Sequence, residues 1–461
     1  MPASNCRSSC RVLLVGLALA APLAAVDDGS YLLHGIVAFD EGGGNGDNAY
    51  AIAVQPDGKI VLAGTVHRSG ATVAALTRLL PGGGLDPAFG GGTGKVSNPC
   101  SLFFGSQASA VHVLANGRIL LAGTLAAASV RDFLVWRLLA DGSCDTSFGD
   151  FGTKLIPFDR GGDLTDYANA LTVDRLGRIL VVGSVHLNGN DVDMAVVRLT
   201  PDGALDSSFS GDGKATISFD LAGFDEDTAL GVAIDRDNRL LVAGRAFDSA
   251  GGGYDFAFAR MTNDGTLDAS FGAGGRLAVS FDLGGSNYEI ANDVAVWPDG
   301  EIVAAGTIST GATAIEWAVL RVAPDGSQVL GLHHGYFGFG SPAIATSLVL
   351  QPDGKILIAG RGQGVSSGDF GVARLHRDGS PDASFPFGTG VTSFDFNWGP
   401  GSHHDSGQAV ALDVDGRILV AGSAEWDDPD YDFGWLRLES SYVFADGFEW
   451  GDSALWSATA P

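Results

Sequence analysis

Basic residues are scarce in this chain: 27 Lys and Arg stand against 54 Asp and Glu, a formal charge of −27 over 461 residues. A nucleic-acid binder neutralises phosphates with Lys and Arg, so a chain this acidic is not expected to be one. Charged residues of both signs make up only 18%, against 45% hydrophobic residues, which excludes a disordered chain. Long apolar runs are missing as well. After Val12 to Ala21 no stretch approaches the ~20 uninterrupted apolar residues of a membrane-spanning helix, so membrane insertion is not expected. Catalytic signatures are few: there is no H-E-x-x-H, no phosphate-binding Gly-rich loop and no S-x-D-x-G-x-x-W box. Carboxylates are too numerous for any one pair to stand out as a glycosidase dyad.

Glycine is abundant, with 68 residues, about twice the usual ~7%. At the N-terminus, Arg7 and Arg11 precede the apolar run, and small residues follow around Ala24 and Ala25. That order predicts a secretory signal peptide over 1–25 and a soluble exported protein, periplasmic, secreted or at the cell surface. Cys6 and Cys10 would leave with it. Cys100 and Cys144 remain, 44 positions apart, as one disulfide between neighbouring repeats or as two buried thiols.

The dominant feature is internal repetition. Seven segments share a turn, a β-rich run and a closing glycine, from QPDGKIVLAG at Gly64 through Gly123, Gly183, Gly244, Gly306 and Gly360 to DVDGRILVAG at Gly422. They recur every 54 to 62 residues, a period that suits a four-stranded propeller blade. A third strand in each unit ends in an arginine: Arg78, Arg137, Arg198, Arg260, Arg321, Arg374 and Arg437. A turn such as PDGALDSSF then leads into a fourth strand. The seventh unit has no fourth strand, whereas Leu32 to Asp40 resembles one and precedes the first unit. The expectation is an all-β fold: a single seven-bladed β-propeller of four-stranded antiparallel blades over about 30–440, its ring closed by the N-terminal strand. A tail, 441–461, carries a DGFE-like motif of unknown role.

The PDGKIxxAG, ARLxxDGxLDxSFG and GK/GR sequence resembles the bacterial delta-60 repeat. That resemblance implies a propeller-forming unit of exported proteins, with no reaction attached. Unit 5 departs from it, with Ser327 to Gly340 in place of LDxSFG.

A residue that recurs in every blade points to blade packing, so the seven arginines are read as structural. In five units an Asp follows eight residues later, suited to an Arg–carboxylate bond, and the Phe beyond it is read as a plug between blades. Function is expected where the repeats disagree: on the face formed by the loops joining second to third strands and one blade to the next. That face is rich in Asp and Glu. Asp220, Asp225, Glu226 and Asp227 are candidate ligands for Ca²⁺, although no run matches a defined calcium loop, and acidic loops also serve solubility alone. His333, His334, Tyr336, Trp398, His403, His404, Trp426 and Tyr431 gather where units 5 to 7 depart from the pattern, and suit stacking on a glycan or a protein partner. The reading is a non-enzymatic binding or scaffold module. The alternative is a hydrolase or lyase using carboxylates on the same face.

Overall fold

The computed structural model describes residues 32–438 except loop segments at 40–45, 69, 102–104, 128–129, 159–164, 188–190, 222–225, 250–251, 282, 284–287, 312, 339, 364–367, 386–388, 397–403 and 428–429. The expected signal peptide and tail lie outside the described residues.

Seven antiparallel sheets of four strands follow one another along the chain. In blade 1 the strands are Asn48–Val54, Ile60–Arg68, Ala71–Leu79 and Lys95–Ser97, from the inner edge outward. The turn between the first two demands a left-handed residue, which glycine supplies at Gly58, Gly117, Gly177, Gly300, Gly354 and Gly416. Blade 4 places Asn238 there instead, at φ 62°, the non-glycine residue type that tolerates this conformation best.

The closing glycine of each second strand has a different task. Every inner strand carries a bulge, as between Ala49 and Ala51, and the glycine lies opposite it. A Cβ at Gly64 or at any of its six counterparts would overlap the carbonyl of the residue just before the bulge, such as Asn48 or Tyr167. The bulge therefore requires glycine across from it, seven times.

Hydrophobic burial lies between blades. Seven apolar clusters each draw on two adjacent sheets: Val61, Phe89 and Leu121 join blades 1 and 2, and Leu62, Val73 and Trp435 join blades 1 and 7. A single sheet cannot cover both its faces, and a closed ring of seven covers all of them. Closure comes from Leu32–Val37, which pairs with Asp430–Leu438 from Leu32↔Leu438 to Val37↔Phe433 and completes the last blade. Blade 5, where the repeat motif breaks, still forms its outer strand, Val329–Gly335, the longest outer strand of any blade.

The seven arginines sit on the face that holds the first–second and third–fourth turns. Arg137 is representative. Its Nε donates to Asp145 at 2.7 Å, its Nη1 to the Pro201 carbonyl of the next blade at 2.5 Å, and its guanidinium lies 4.7 Å over Phe148. The same Arg–Asp bond joins Arg78 to Asp86, Arg198 to Asp206, Arg260 to Asp268 and Arg374 to Asp382, each at 2.8 Å. Arg437 donates to the Pro81 carbonyl of blade 1, carrying the contact across the closure. Burial works against charge at these five aspartates, yet the hydrogen bonds and the neighbouring cations hold their carboxyls below the ordinary range. Phe89, Phe148, Phe209 and Phe271 are fully buried against the turn glycine of the following blade, at Gly142, Gly203, Gly265 and Gly326. Cys100 and Cys144 form a disulfide that ties the outer segment of blade 1 to the third–fourth turn of blade 2. Closing a loop of that length is worth about 4 kcal/mol in the chain-entropy model.

Candidate functional site

The opposite face carries the loops between second and third strands and the connections between blades. Among the described residues, many of its acidic side chains are turned inward. At the start of the inner strands, Asp166, Asp227, Glu289 and Asp405 are buried, and each accepts the backbone N–H of a phenylalanine that ends the preceding blade, Phe158, Phe219, Phe281 and Phe396. Asp47 accepts from His67 N at 3.0 Å. The first four latch one blade to the next. A face that the sequence suggests to be an open negative surface thus spends these described charges on satisfying backbone donors, because connections that leave one sheet for another have no ladder partner of their own.

The three described candidate calcium ligands do not share a direction. Asp227 latches Phe219, Glu226 turns toward Arg245, Asp220 is exposed at φ 46°, and Asp225 lies outside the described residues. Among the described residues no group of three His, Cys, Asp or Glu side chains is placed to hold a metal ion.

The aromatic and histidine candidates are likewise divided. His333 packs against Gly379 of blade 6, the place a phenylalanine fills in blades 1 to 4, so it belongs to a blade seam. His334 Nδ1 lies 2.7 Å from Glu316, which also accepts from Thr310 at 2.5 Å and from the Tyr336 hydroxyl. Burial opposes charge on Glu316, but these three partners hold its carboxyl below the ordinary range. This small network lies at the outer rim of blade 5. His404 N donates to Glu425 at 2.5 Å, and the Tyr431 carbonyl accepts from Asp47 N. Trp426 lies in Ile418–Asp427, while Trp398 and His403 lie outside the described residues.

A different part of the same face forms a cleft. At the mouth of the central channel over blades 3 to 5, inner-strand residues and the ends of second strands enclose an open space of about 800 Å³. Tyr167, Phe247 and Tyr288 present aromatic surface, Asn169 and Asn292 amides, and Glu226 and Arg245 the charges. The polar centre is fixed from behind. Arg245 Nη2 lies 2.8 Å from Glu226 Oε1, the Tyr254 hydroxyl donates to Glu226 Oε2 at 2.6 Å, and the guanidinium stacks 4.3 Å over the Tyr254 ring. Burial, reinforced by the Glu226 carboxylate, pushes the Tyr254 phenol up to about 12, so it stays a donor. Asn169 and Asn292 occupy bulge positions and donate at 2.8 Å to the Ala229 and Ala345 carbonyls of the next inner strand.

Of this cleft only Glu226 is among the sequence candidates. A signal for Arg245 is present nonetheless. The residue after the closing glycine is Thr or Ser in five units, Thr65, Thr124, Ser184, Thr307 and Ser423, and Arg245 and Arg361 break the pattern. Thr124 accepts from Ala168 N of the next blade at 3.1 Å.

Among solved structures, a protein of unknown function from Dyadobacter fermentans DSM 18053 is similar at 13% identity, covering 88% of this chain and 98% of its own with a TM-score of 0.43. The polysaccharide lyase Uly1 is similar at 12%, covering 85% and 89% with a TM-score of 0.48, and Sqt1 from Chaetomium thermophilum at 14%, covering 86% and 97% with a TM-score of 0.44. Likeness at this level carries no argument about activity. No curated protein sequence matches the chain. The model of a β-propeller domain of unknown function, DUF5122, matches residues 55–89, 114–148, 177–209, 236–271, 298–328 and 351–385. The chain is therefore a seven-bladed β-propeller in which blades 1 to 6 each match the DUF5122 repeat.

Proposed function

We propose that this propeller is an exported, non-enzymatic binding module whose channel-mouth cleft over blades 3 to 5 takes a glycan. The observation that carries the reading is the coexistence, in one open cleft of about 800 Å³, of aromatic faces from Tyr167 and Tyr288 with the fixed Glu226–Arg245 pair and two amides. Sugar rings offer an apolar face for stacking and a rim of hydroxyls for polar groups, and this lining supplies both. Export rests on the order of charge, apolar run and small residues at the N-terminus. The hydrolytic alternative has less support. Glu226 is the one carboxylate among the described residues that line the cleft, and both its oxygens are engaged, whereas glycoside hydrolysis uses a facing pair of carboxyls.

A glycan array probed with the full chain, followed by titration calorimetry on the hits, tests the reading. Tyr288 is 39% exposed, and Tyr288→Ala is expected to weaken binding by about tenfold through lost stacking. Hits that bind Tyr288→Ala and Tyr167→Ala as tightly as the native chain would place the ligand elsewhere.

A further inference from the structure

Resting on the glycan reading, we propose that the cleft selects neutral sugars, with Glu226 and Arg245 together reading two adjacent ring hydroxyls. The two groups are 2.8 Å apart and both partly open, with 39% and 24% of their side chains exposed. Neither can swing away, because the Tyr254 hydroxyl holds the second Glu226 oxygen and the Tyr254 ring lies under the guanidinium. The result is an acceptor and a donor set side by side at hydrogen-bond spacing. Neighbouring hydroxyls on a sugar ring present the complement, since each can donate to the carboxylate or accept from the guanidinium.

Two amides of the lining also favour ligands that bring protons. Asn169 and Asn292 each donate one Nδ2 hydrogen to a backbone carbonyl and keep the amide oxygen as an acceptor. A uronate or sulfate group brings acceptors only. Opposite Glu226 and the amide oxygens it would leave polar groups unmatched, a cost that discriminates strongly in an occupied site. Arg245 is the one Lys or Arg among the described lining residues, and its charge is already matched by Glu226. The −27 formal charge of the chain adds long-range repulsion of polyanions.

The test is calorimetric titration of the full chain with neutral hexasaccharides of glucose and mannose, and with oligogalacturonate and a sulfated hexasaccharide of equal length. Each is run at about 0.05 and about 0.5 M salt, a range that collapses the screening length. The expected result is binding of a neutral hexasaccharide, with affinity changing less than about twofold across that range. Glu226→Gln should weaken it by about tenfold and Tyr254→Phe by a smaller factor, since charge-assisted bonds are the strong ones. Unchanged thermal midpoints in both variants separate recognition from folding. Tighter, salt-sensitive binding of the acidic sugars that Glu226→Gln improves and Tyr288→Ala abolishes would overturn neutral selectivity while leaving the glycan site in place. Absence of binding by every sugar would overturn the site and the selectivity together.

Discussion

At the scale of single residues, the repeat works by exchange among a few positions. In blades 1 and 6 a lysine follows the turn, and Lys59 and Lys355 reach Asp86 and Asp382 at 3.5 and 3.1 Å. Blades 2 and 4 use Arg118 and Arg239 for the same contact, at 3.0 and 3.2 Å. Blade 5 lacks the aspartate, and its arginine would be stranded but for Glu301, which takes the lysine's place. Arg321 donates to Glu301 at 2.6 Å, and Arg377 of blade 6 donates to the other oxygen at 2.7 Å. Reverting this position to the residue of blades 1 and 6 should therefore harm the protein. Glu301→Lys is expected to lower stability by about 3 kcal/mol, because it removes the acceptor of the largely buried Arg321 and sets a third cation beside it and the half-exposed Arg377. Denaturant unfolding of the variant beside native protein checks this, and equal midpoints would contradict it. The Arg and Asp spaced by eight are the sequence trace of a bond the structure contains. The Glu301 substitution was equally visible as a break in the repeat, but its partner across the blade seam was not, since nothing in sequence spacing relates Glu301 to Arg377.

At the scale of strands and seams, two groups of carboxyls respond oppositely to acid. The aspartates paired with arginine are held below their ordinary range, so their stabilisation is present above about pH 4 and is lost as pH falls through the folded values. Where blades 6 and 7 meet, burial first and then the Asp395 charge push Asp369 up to about 6, and burial with Asp395 and Asp369 does the same to Asp405. A carboxyl whose folded pKa exceeds its unfolded value costs nothing when both states are protonated. Its penalty grows as pH rises from about 4 and is complete above about 6. Asp369→Asn should thus stabilise the protein at pH 7 by an amount on the order of 1 kcal/mol, and by much less at pH 4. Thermal midpoints of the two proteins at both pH values test this, and a gain that does not change with pH would contradict it. Strand order and blade count were legible in the sequence because every blade solves the same steric problems, such as the bulge that only Gly64 and its six counterparts can face. The inward turn of the acidic face was not legible. Asp166 and Asp227 look like loop charges in sequence, and only the arrival of a neighbouring backbone N–H shows them to be latches.

At the scale of the whole molecule, the channel-mouth cleft is a property of the ring. Its lining comes from blades 3, 4 and 5, and no single repeat contains it, so a reading that compares units position by position finds exceptions such as Arg245 without showing that they converge with Tyr167 and Tyr288. The candidates of units 5 to 7 were drawn instead to where the motif fails, and there the altered residues serve the seam, as His333 does, or a rim network, as His334 does with Glu316. Every blade contact depends on closure, and closure depends on six residues from the start of the propeller pairing with the final blade. Amide hydrogen exchange on Leu32–Val37 tests this most directly. Closure by this strand predicts that those alternate amides of Leu32–Val37 that bond to Asp430–Leu438 exchange as slowly as the ladder amides beside them, and that both are released together in denaturant. Rapid exchange over Leu32–Val37 while Asp430–Leu438 stays protected would contradict the closed ring.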